Sequence, residues 1–198
     1  MNKLVTLSGR AASQKFDELT ALTDRIVTSG CKSYLEVGTR HGDTFYHIMK
    51  ALPKDTLGVA LDLPGGLWGK SSTEQALRRC IDQLKAEGYH RVRMVLGDST
   101  SPEIIEQVRA LGPYDAMLID GDHRYEGVKQ DWLNYGQMAQ QFVAFHDIAG
   151  EGIVHREIYH VEVPRLWREI KQTGKRVEEF VSVTAPDKPM GIGIVYTN

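Results

Sequence analysis

Four side chains with acid–base and metal-binding chemistry lie in two short segments of this sequence. Asp120 and His123 occur in LIDGDHRYEG (118–127), and His146 and Asp147 end VAFHD (143–147). In each segment an apolar run is followed at once by carboxylate and imidazole groups. This pattern is typical of a buried strand that delivers polar groups to the edge of a sheet, where open α/β sheets bind ligands.

Two neighbouring strands that end in this way would bring the four side chains around one point. Carboxylate oxygens suit a hard divalent cation, and an imidazole with an ordinary pKa of about 6.5 suits general-base catalysis near neutral pH. Two carboxylates brought close together would repel each other unless a cation or a shared proton lay between them. The pattern therefore predicts a divalent metal with a nearby general base.

Alternating helix-like and strand-like segments are expected to position these groups. Strand patterns occur at 33–38, 56–62, 92–98, 114–120 and 142–147, and helix patterns at 13–29, 44–52, 72–87, 101–110, 125–140 and 164–173. Two last strand patterns, at 176–183 and 190–197, are joined by the turn-rich APDKP and are expected to be antiparallel. Repeated strand–helix units and a final hairpin predict an α/β domain with a mostly parallel seven-stranded sheet and helices on both faces.

Composition narrows the class of protein. The chain has 198 residues, 41% hydrophobic and 25% charged, so residues 1–198 are expected to form one globular domain with an N-terminal helical segment at 1–29. The connection 148–163 is long for a compact domain and is a candidate lid. A net charge of −2 gives no basic field for nucleic acid or membrane, and no run approaches the ~20 apolar residues of a span. We expect a cytoplasmic protein, and assembly into a homo-oligomer is possible.

A glycine-containing turn follows the first predicted strand, in EVGTRHG (36–42). Glycines at a strand-to-helix turn let a ligand approach the backbone closely. The spacing is ExGxxxG rather than the GxGxxG of dinucleotide folds, because Glu36 stands two residues before Gly38. This acid would repel a pyrophosphate, whereas it would attract a ligand that carries an ammonium and a sulfonium.

Acidic residues also end the next two predicted strands. Asp62 could accept hydrogen bonds from a ribose diol, and Asp98 with Ser99 could bond an adenine edge. Each signal alone is also explained by turn geometry, by a helix cap or by a solvated charge. Three such signals in this order, at the ends of successive strands, predict a site for an adenosyl cofactor.

With these motifs the chain resembles class I S-adenosylmethionine-dependent methyltransferases over about residues 30–197. The ExGxxxG turn is similar to motif I of that family, Asp62 to its ribose-binding acid, and Asp98-Ser99 to its adenine-side motif. More narrowly, IDGDHRYEGVKQD (119–131) with FHD (145–147) resembles the branch of macrocin-type sugar O-methyltransferases and cephalosporin-hydroxylase-like proteins.

The resemblance implies a Rossmann-like fold, S-adenosylmethionine as cofactor, and methyl transfer to a hydroxyl of a small molecule such as a sugar or natural product. It implies cofactor contacts from Glu36, Gly38, Thr39, Gly42, Asp62, Asp98, Ser99 and Asp120. From the metal-dependent members it implies His123 as the base, catalytic with Asp120, and a magnesium ion on Asp120, His146 and Asp147. His146 replaces one acid of the usual pair, and imidazole suits softer ions better than magnesium.

Some residues of these motifs also have structural interpretations. Asp122 could cap the helix that begins near Tyr125, and Asp131 and Glu126 are expected on a solvated face of that helix or paired with Lys129. His146-Asp147 could equally be a hydrogen-bonded pair that fixes its loop.

Three rival functions stay open beside the methyltransferase. A nicotinamide-dependent oxidoreductase could use a similar sheet, although ExGxxxG argues against it. A non-enzymatic module could keep the fold and bind the cofactor without chemistry, and a hydroxylase-associated relative is also compatible with the resemblance.

Overall fold

A computed structural model describes residues 14–66, 72–149, 154–155, 159–183 and 190–197. Its strands are β1 (Ser33–Val37), β2 (Leu57–Asp62), β3 (Val92–Leu96), β4 (Tyr114–Ile119), β5 (Ala139–His146), β6 (Val154–His155), β7 (Tyr159–His160), β8 (Val177–Phe180) and β9 (Ile192–Tyr196). Its helices are α1 (Phe16–Thr28), α2 (Asp43–Ala51), α3 (Thr73–Ala86), α4 (Pro102–Leu111), α5 (Tyr125–Tyr135) and α6 (Val163–Gln172). None of these helices is long and apolar enough to cross a membrane.

Seven strands form one sheet in the order β3-β2-β1-β4-β5-β9-β8. The five strands from β3 to β5 are parallel, whereas β9 runs antiparallel to both β5 and β8. The predicted mostly parallel sheet with an antiparallel hairpin at its end is therefore confirmed. Strand β1 pairs with both β2 and β4, so the strand order reverses beside its carboxyl end, which is where ligands bind in open α/β sheets.

Helices cover both faces of the sheet, as the alternating pattern predicts. One buried cluster joins the sheet to α1, α2 and α3 through residues such as Leu22, Ile48 and Leu77. A second joins the opposite face to α4, α5 and α6 through residues such as Val108 and Trp167. Because apolar groups cover both faces of the sheet, the strand ends are where its polar side chains can reach a ligand.

The structure corrects the predicted helix at 125–140. Helix α5 ends at Tyr135, a short 3-10 turn follows at Gly136–Met138, and β5 already begins at Ala139. Glycine is a poor helix residue, and pairing of Tyr114 with Ala139 draws the chain into the sheet early. In the connection 148–163 the structure describes residues 148–149, the short β6–β7 pair and residues 161–163. The rest of this candidate lid and all of APDKP lie outside the described residues.

Candidate active site

A cavity of about 930 Å³ opens at the carboxyl ends of the parallel strands. Nearly all of the predicted site residues line it. These are Glu36, Gly38, Thr39, Asp62, Asp98, Ser99, Asp120, His123, His146 and Asp147. The fold thus brings five separate strand ends to one cavity.

The two glycines of the β1–α2 turn have different neighbours. Gly38 has φ +91°, and a Cβ there would lie 2.2 Å from the backbone oxygen of Asp120. Gly42 has φ +89°, and its Cβ would lie 2.7 Å from Sγ of Cys80 on α3. Gly38 therefore lets the ends of β1 and β4 approach each other beside the cavity, while Gly42 packs the turn against α3.

Glu36 is buried beneath this turn, with 2% of its surface exposed. The Tyr34 hydroxyl donates a hydrogen bond of 2.6 Å to its Oε2. Burial raises the pKa of Glu36 well above its usual value; the Tyr34 bond opposes this, while the carboxylates of Asp120 and Asp62 add to it. A cationic ligand in the cavity would relieve this concentration of negative charge.

Asp62 ends β2 and faces the same turn. The backbone N–H of Arg40 donates a hydrogen bond of 2.8 Å to Oδ1 of Asp62. Burial raises the pKa of Asp62, and the contact with Arg40 opposes the rise. Arg40 adopts φ +53° and lines the cavity, although sequence reasoning gave it no role.

The loop after β3 carries the predicted adenine-side residues. Oδ1 of Asp98 accepts hydrogen bonds from the backbone N–H and hydroxyl of Thr100, which lower the pKa of Asp98. The Ser99 hydroxyl donates a hydrogen bond of 2.6 Å to Asp131. The expectation of a solvated Asp131 is wrong: only 1% of its surface is exposed, because α5 turns it inward toward this loop.

Asp120, His123, His146 and Asp147 form one compact cluster. Oδ1 of Asp120 lies 3.0 Å from Nδ1 of His146 and 3.3 Å from Nε2 of His123. Nδ1 of His123 lies 2.7 Å from Oδ2 of Asp147. Both ring nitrogens of His123 therefore face carboxylates. The contact with Asp147 joins the loop after β4 to the loop after β5.

Charge pairing dominates the acid–base behaviour of this cluster. Burial would lower the pKa of His123, but Asp120 and Asp147 outweigh it and raise the pKa to about 10. In His146 burial is likewise outweighed by the two carboxylates, which raise its pKa to about 9. Burial would raise the pKa of Asp120 and of Asp147, but the imidazoles hold both below the usual value.

The cluster does not fit the predicted magnesium site. Within the part of the chain that the structure describes, no group of three or more His, Cys, Asp and Glu side chains is arranged to hold a metal ion. The physical reason is that Oδ1 of Asp120 already contacts two imidazoles and Asp147 contacts one. The charges that would attract a cation are paired within the protein.

Gln14 is a site residue that sequence reasoning missed. It is buried just before α1, and its Nε2 donates a hydrogen bond of 2.7 Å to Oδ2 of Asp120. Its Oε1 accepts a hydrogen bond from the Thr44 hydroxyl at the start of α2. No sequence signal indicates this contact, since Gln14 and Asp120 lie 106 positions apart.

Comparisons with known proteins agree with this fold. A family described as "Methyltransferase domain" matches residues 35–148. The O-methyltransferase from Bacillus cereus in complex with SAH superposes with a TM-score of 0.72 at 15% identity, covering 96% of this chain and 84% of that one. The O-methyltransferase TomG from Streptomyces achromogenes, involved in tomaymycin synthesis and solved with SAM, gives 0.69 at 14% identity, covering 93% and 81%. Such low identities establish similarity of fold alone, and no curated protein matches the chain in sequence.

Proposed function

Since the chain belongs to the methyltransferase domain family, we propose that it is an S-adenosylmethionine-dependent enzyme that methylates a hydroxyl of a small molecule. One observation carries this proposal. The glycine turn with Glu36, the acid Asp62, and the Asp98-Ser99 loop lie at three adjacent strand ends around one cavity, beside the carboxylate–imidazole cluster. The residues proposed to bind the cofactor and the acid–base residues thus line the same cavity.

The proposed cofactor contacts follow from the chemistry of the lining. Asp62 is suited to accept hydrogen bonds from a ribose diol, and Asp98 with Ser99 to bond adenine. A bound cation would favour the charged form of Glu36, whose pKa is raised by burial, and Asp120 lines the cavity beside it. Gly38 with Thr39 offers backbone that a ligand can approach closely. When bound, S-adenosylmethionine would supply an electrophilic methyl group on a sulfonium.

His123 is proposed as the group that takes the proton of the acceptor hydroxyl. Asp147 lies 2.7 Å from Nδ1 and fixes the orientation of the ring, whereas the contact of Nε2 with Asp120 is longer, at 3.3 Å. An acceptor hydroxyl could displace the longer contact and bond Nε2, as in other carboxylate–histidine–hydroxyl arrangements. Positive charge from a bound cofactor would lower the pKa of His123 and favour the neutral base.

A divalent metal is left out of this proposal. The resemblance implied magnesium on Asp120, His146 and Asp147, but these side chains are paired with one another and with His123. Proton transfer and orientation of the acceptor are therefore assigned to the protein's own groups.

A small acceptor is supported by the size of the cavity. Its volume of about 930 Å³ lies near the top of the ~300–1,000 Å³ range of small-molecule pockets, which allows for a cofactor and a modest acceptor together. The similarity to TomG, an enzyme of tomaymycin synthesis, makes a natural product one class of acceptor to test.

The proposal is tested first by calorimetric titration of the protein with S-adenosylmethionine and S-adenosylhomocysteine. We expect micromolar binding that is lost in Asp62→Ala, because Asp62 holds the β1–α2 turn and is the acid proposed to bond the ribose. Asp82→Ala is the matched control, since Asp82 is exposed on α3 and outside the cavity. Absence of binding by either ligand would contradict the proposal; binding without methylation in an acceptor screen would favour a non-enzymatic module.

A further inference from the structure

Ser99 is held at two points by one face of α5. Its hydroxyl donates a hydrogen bond of 2.6 Å to Oδ1 of Asp131, and its backbone carbonyl accepts one of 2.7 Å from the hydroxyl of Tyr135. Asp131 and Tyr135 stand four positions apart, one helical turn, and so point the same way. Ser99 lines the cavity, so α5 holds a residue of the cavity wall in place from the side that faces away from the cavity.

Asp131 itself stands behind the cavity wall. It is 1% exposed, and its second oxygen, Oδ2, has no hydrogen-bond partner among the described residues. A Cβ added to Gly121, another wall residue, would lie 3.0 Å from this oxygen. A buried carboxylate with one unpartnered oxygen is unfavourable for folding, so a purely structural role would be served as well by an uncharged amide.

We propose that Asp131 is a positioning residue that sets the affinity of the cavity for the adenosyl cofactor by holding the Ser99 hydroxyl. The inference rests on the proposed function, since it concerns the same cofactor site. Asp131 does not need to touch the cofactor; it acts through Ser99.

The direction of the effect follows from the hydrogen bond. When Asp131 is ionised, the Ser99 proton is committed to it, and the remaining lone pairs of the hydroxyl can accept a hydrogen bond from the adenine amino group. When Asp131 is protonated, it can donate to Ser99 instead, and this acceptor is no longer fixed. The ionised form should therefore bind the cofactor more tightly.

Asp131 is poised to change charge near neutral pH. Burial raises its pKa to about 7; the Ser99 bond opposes the rise, and the nearby carboxylates of Asp122 and Asp98 add to it. Tyr135 on the same helix has a pKa raised by burial and stays neutral in this range. If only the ionised form binds, affinity falls at most about tenfold from about pH 8 to about pH 6.

The experiment is calorimetric titration of S-adenosylhomocysteine into wild type, Asp131→Asn, Asp131→Ala and Ser99→Ala at those two pH values. Wild type should bind several-fold more tightly at the higher pH, and the three variants should lose this difference. Asn should retain more affinity than Ala, because its amide can still bond Ser99. Asp82→Asn, at an exposed site on α3, should behave as wild type.

Thermal unfolding of each variant separates this role from simple loss of folding. An Asp131→Asn protein that keeps the wild-type pH dependence would overturn the inference while leaving the proposed function intact. No binding to wild type at either pH would instead contradict the proposed function, and the inference with it. Should Asp131→Ala fail to fold, Asp131→Asn and Ser99→Ala still carry the test.

Discussion

Oδ2 of Asp147 lies 2.7 Å from Nδ1 of His123 and links the ends of two adjacent strands, β4 and β5. Asp147 is 1% exposed and adopts φ +61°, an uncommon conformation for a residue other than glycine. A buried carboxylate this close to the ring favours the protonated imidazole and restricts its position.

Replacing Asp147 by Asn should lower the pKa of His123. Two carboxylates hold the proton on the ring, whereas burial favours the neutral form. When one carboxylate is removed, the effect of burial is opposed by the other alone, and the pKa falls. An NMR titration of the histidine ring signals measures the change. His47 is the internal control, because its pKa is lowered by burial alone. An unchanged His123 pKa in a folded variant would show that Asp147 does not control the ring.

Magnesium should not raise the melting temperature of the protein. A ligand that binds the folded state stabilises it, by about 2.7 kcal/mol at a hundred times its Kd. We expect no such gain from Mg²⁺, because the carboxylates of the cluster are already paired with imidazoles. Thermal unfolding with millimolar Mg²⁺ or with EDTA should give the same midpoint, while S-adenosylhomocysteine should raise it. A saturable rise with Mg²⁺ that disappears in Asp120→Asn would restore the metal site implied by the resemblance.

Alanine at Gly38 should destabilise the protein and abolish cofactor binding. The positive φ alone costs about 1–2 kcal/mol for a residue with a Cβ. The new methyl group would also lie 2.2 Å from the Asp120 backbone oxygen and force β1 and β4 apart. Urea unfolding measures the loss.

Gly30→Ala is the matched control for that experiment. Gly30 has φ +67° but no atom within 4 Å of an added Cβ, so it isolates the conformational part of the penalty. Equal losses at Gly30 and Gly38 would mean that the close approach of the two strand ends is unimportant.

The stabilisation from His123 should disappear in alkaline solution. Its pKa in the folded protein is about 10, above the ordinary value of about 6.5. The stabilising contribution is therefore fully present below about pH 6.5 and is lost as the pH rises toward 10. The free energy of unfolding should fall less steeply over this range in His123→Asn than in wild type. His90→Asn, at an exposed position outside the cluster, should follow the wild-type curve. Parallel curves for wild type, His123→Asn and His90→Asn would refute the pairing of His123 with its two carboxylates.

Much of this architecture follows from local sequence. Apolar runs such as AMLI (116–119) mark the strands, and the acids and glycines that follow them mark the strand ends, because both properties depend on neighbouring residues. Sequence alone thus predicted the parallel sheet, the final antiparallel pair, and the gathering of Glu36, Asp62, Asp98 and Asp120 at one edge. The end of α5 was predicted five residues too late, because the pairing of β5 with β4 overrides the helical pattern there.

Only the tertiary structure decided how the polar groups pair. The contact of His123 with Asp147, the burial of Asp131 against Ser99, and the approach of Gln14 to Asp120 all join segments far apart in the chain. No local pattern fixes such contacts, because they depend on which strands are adjacent and on where each helix places its side chains. The same pairing turned an expected magnesium site into a cluster of carboxylates neutralised by imidazoles, since side chains within hydrogen-bonding distance satisfy one another's charge.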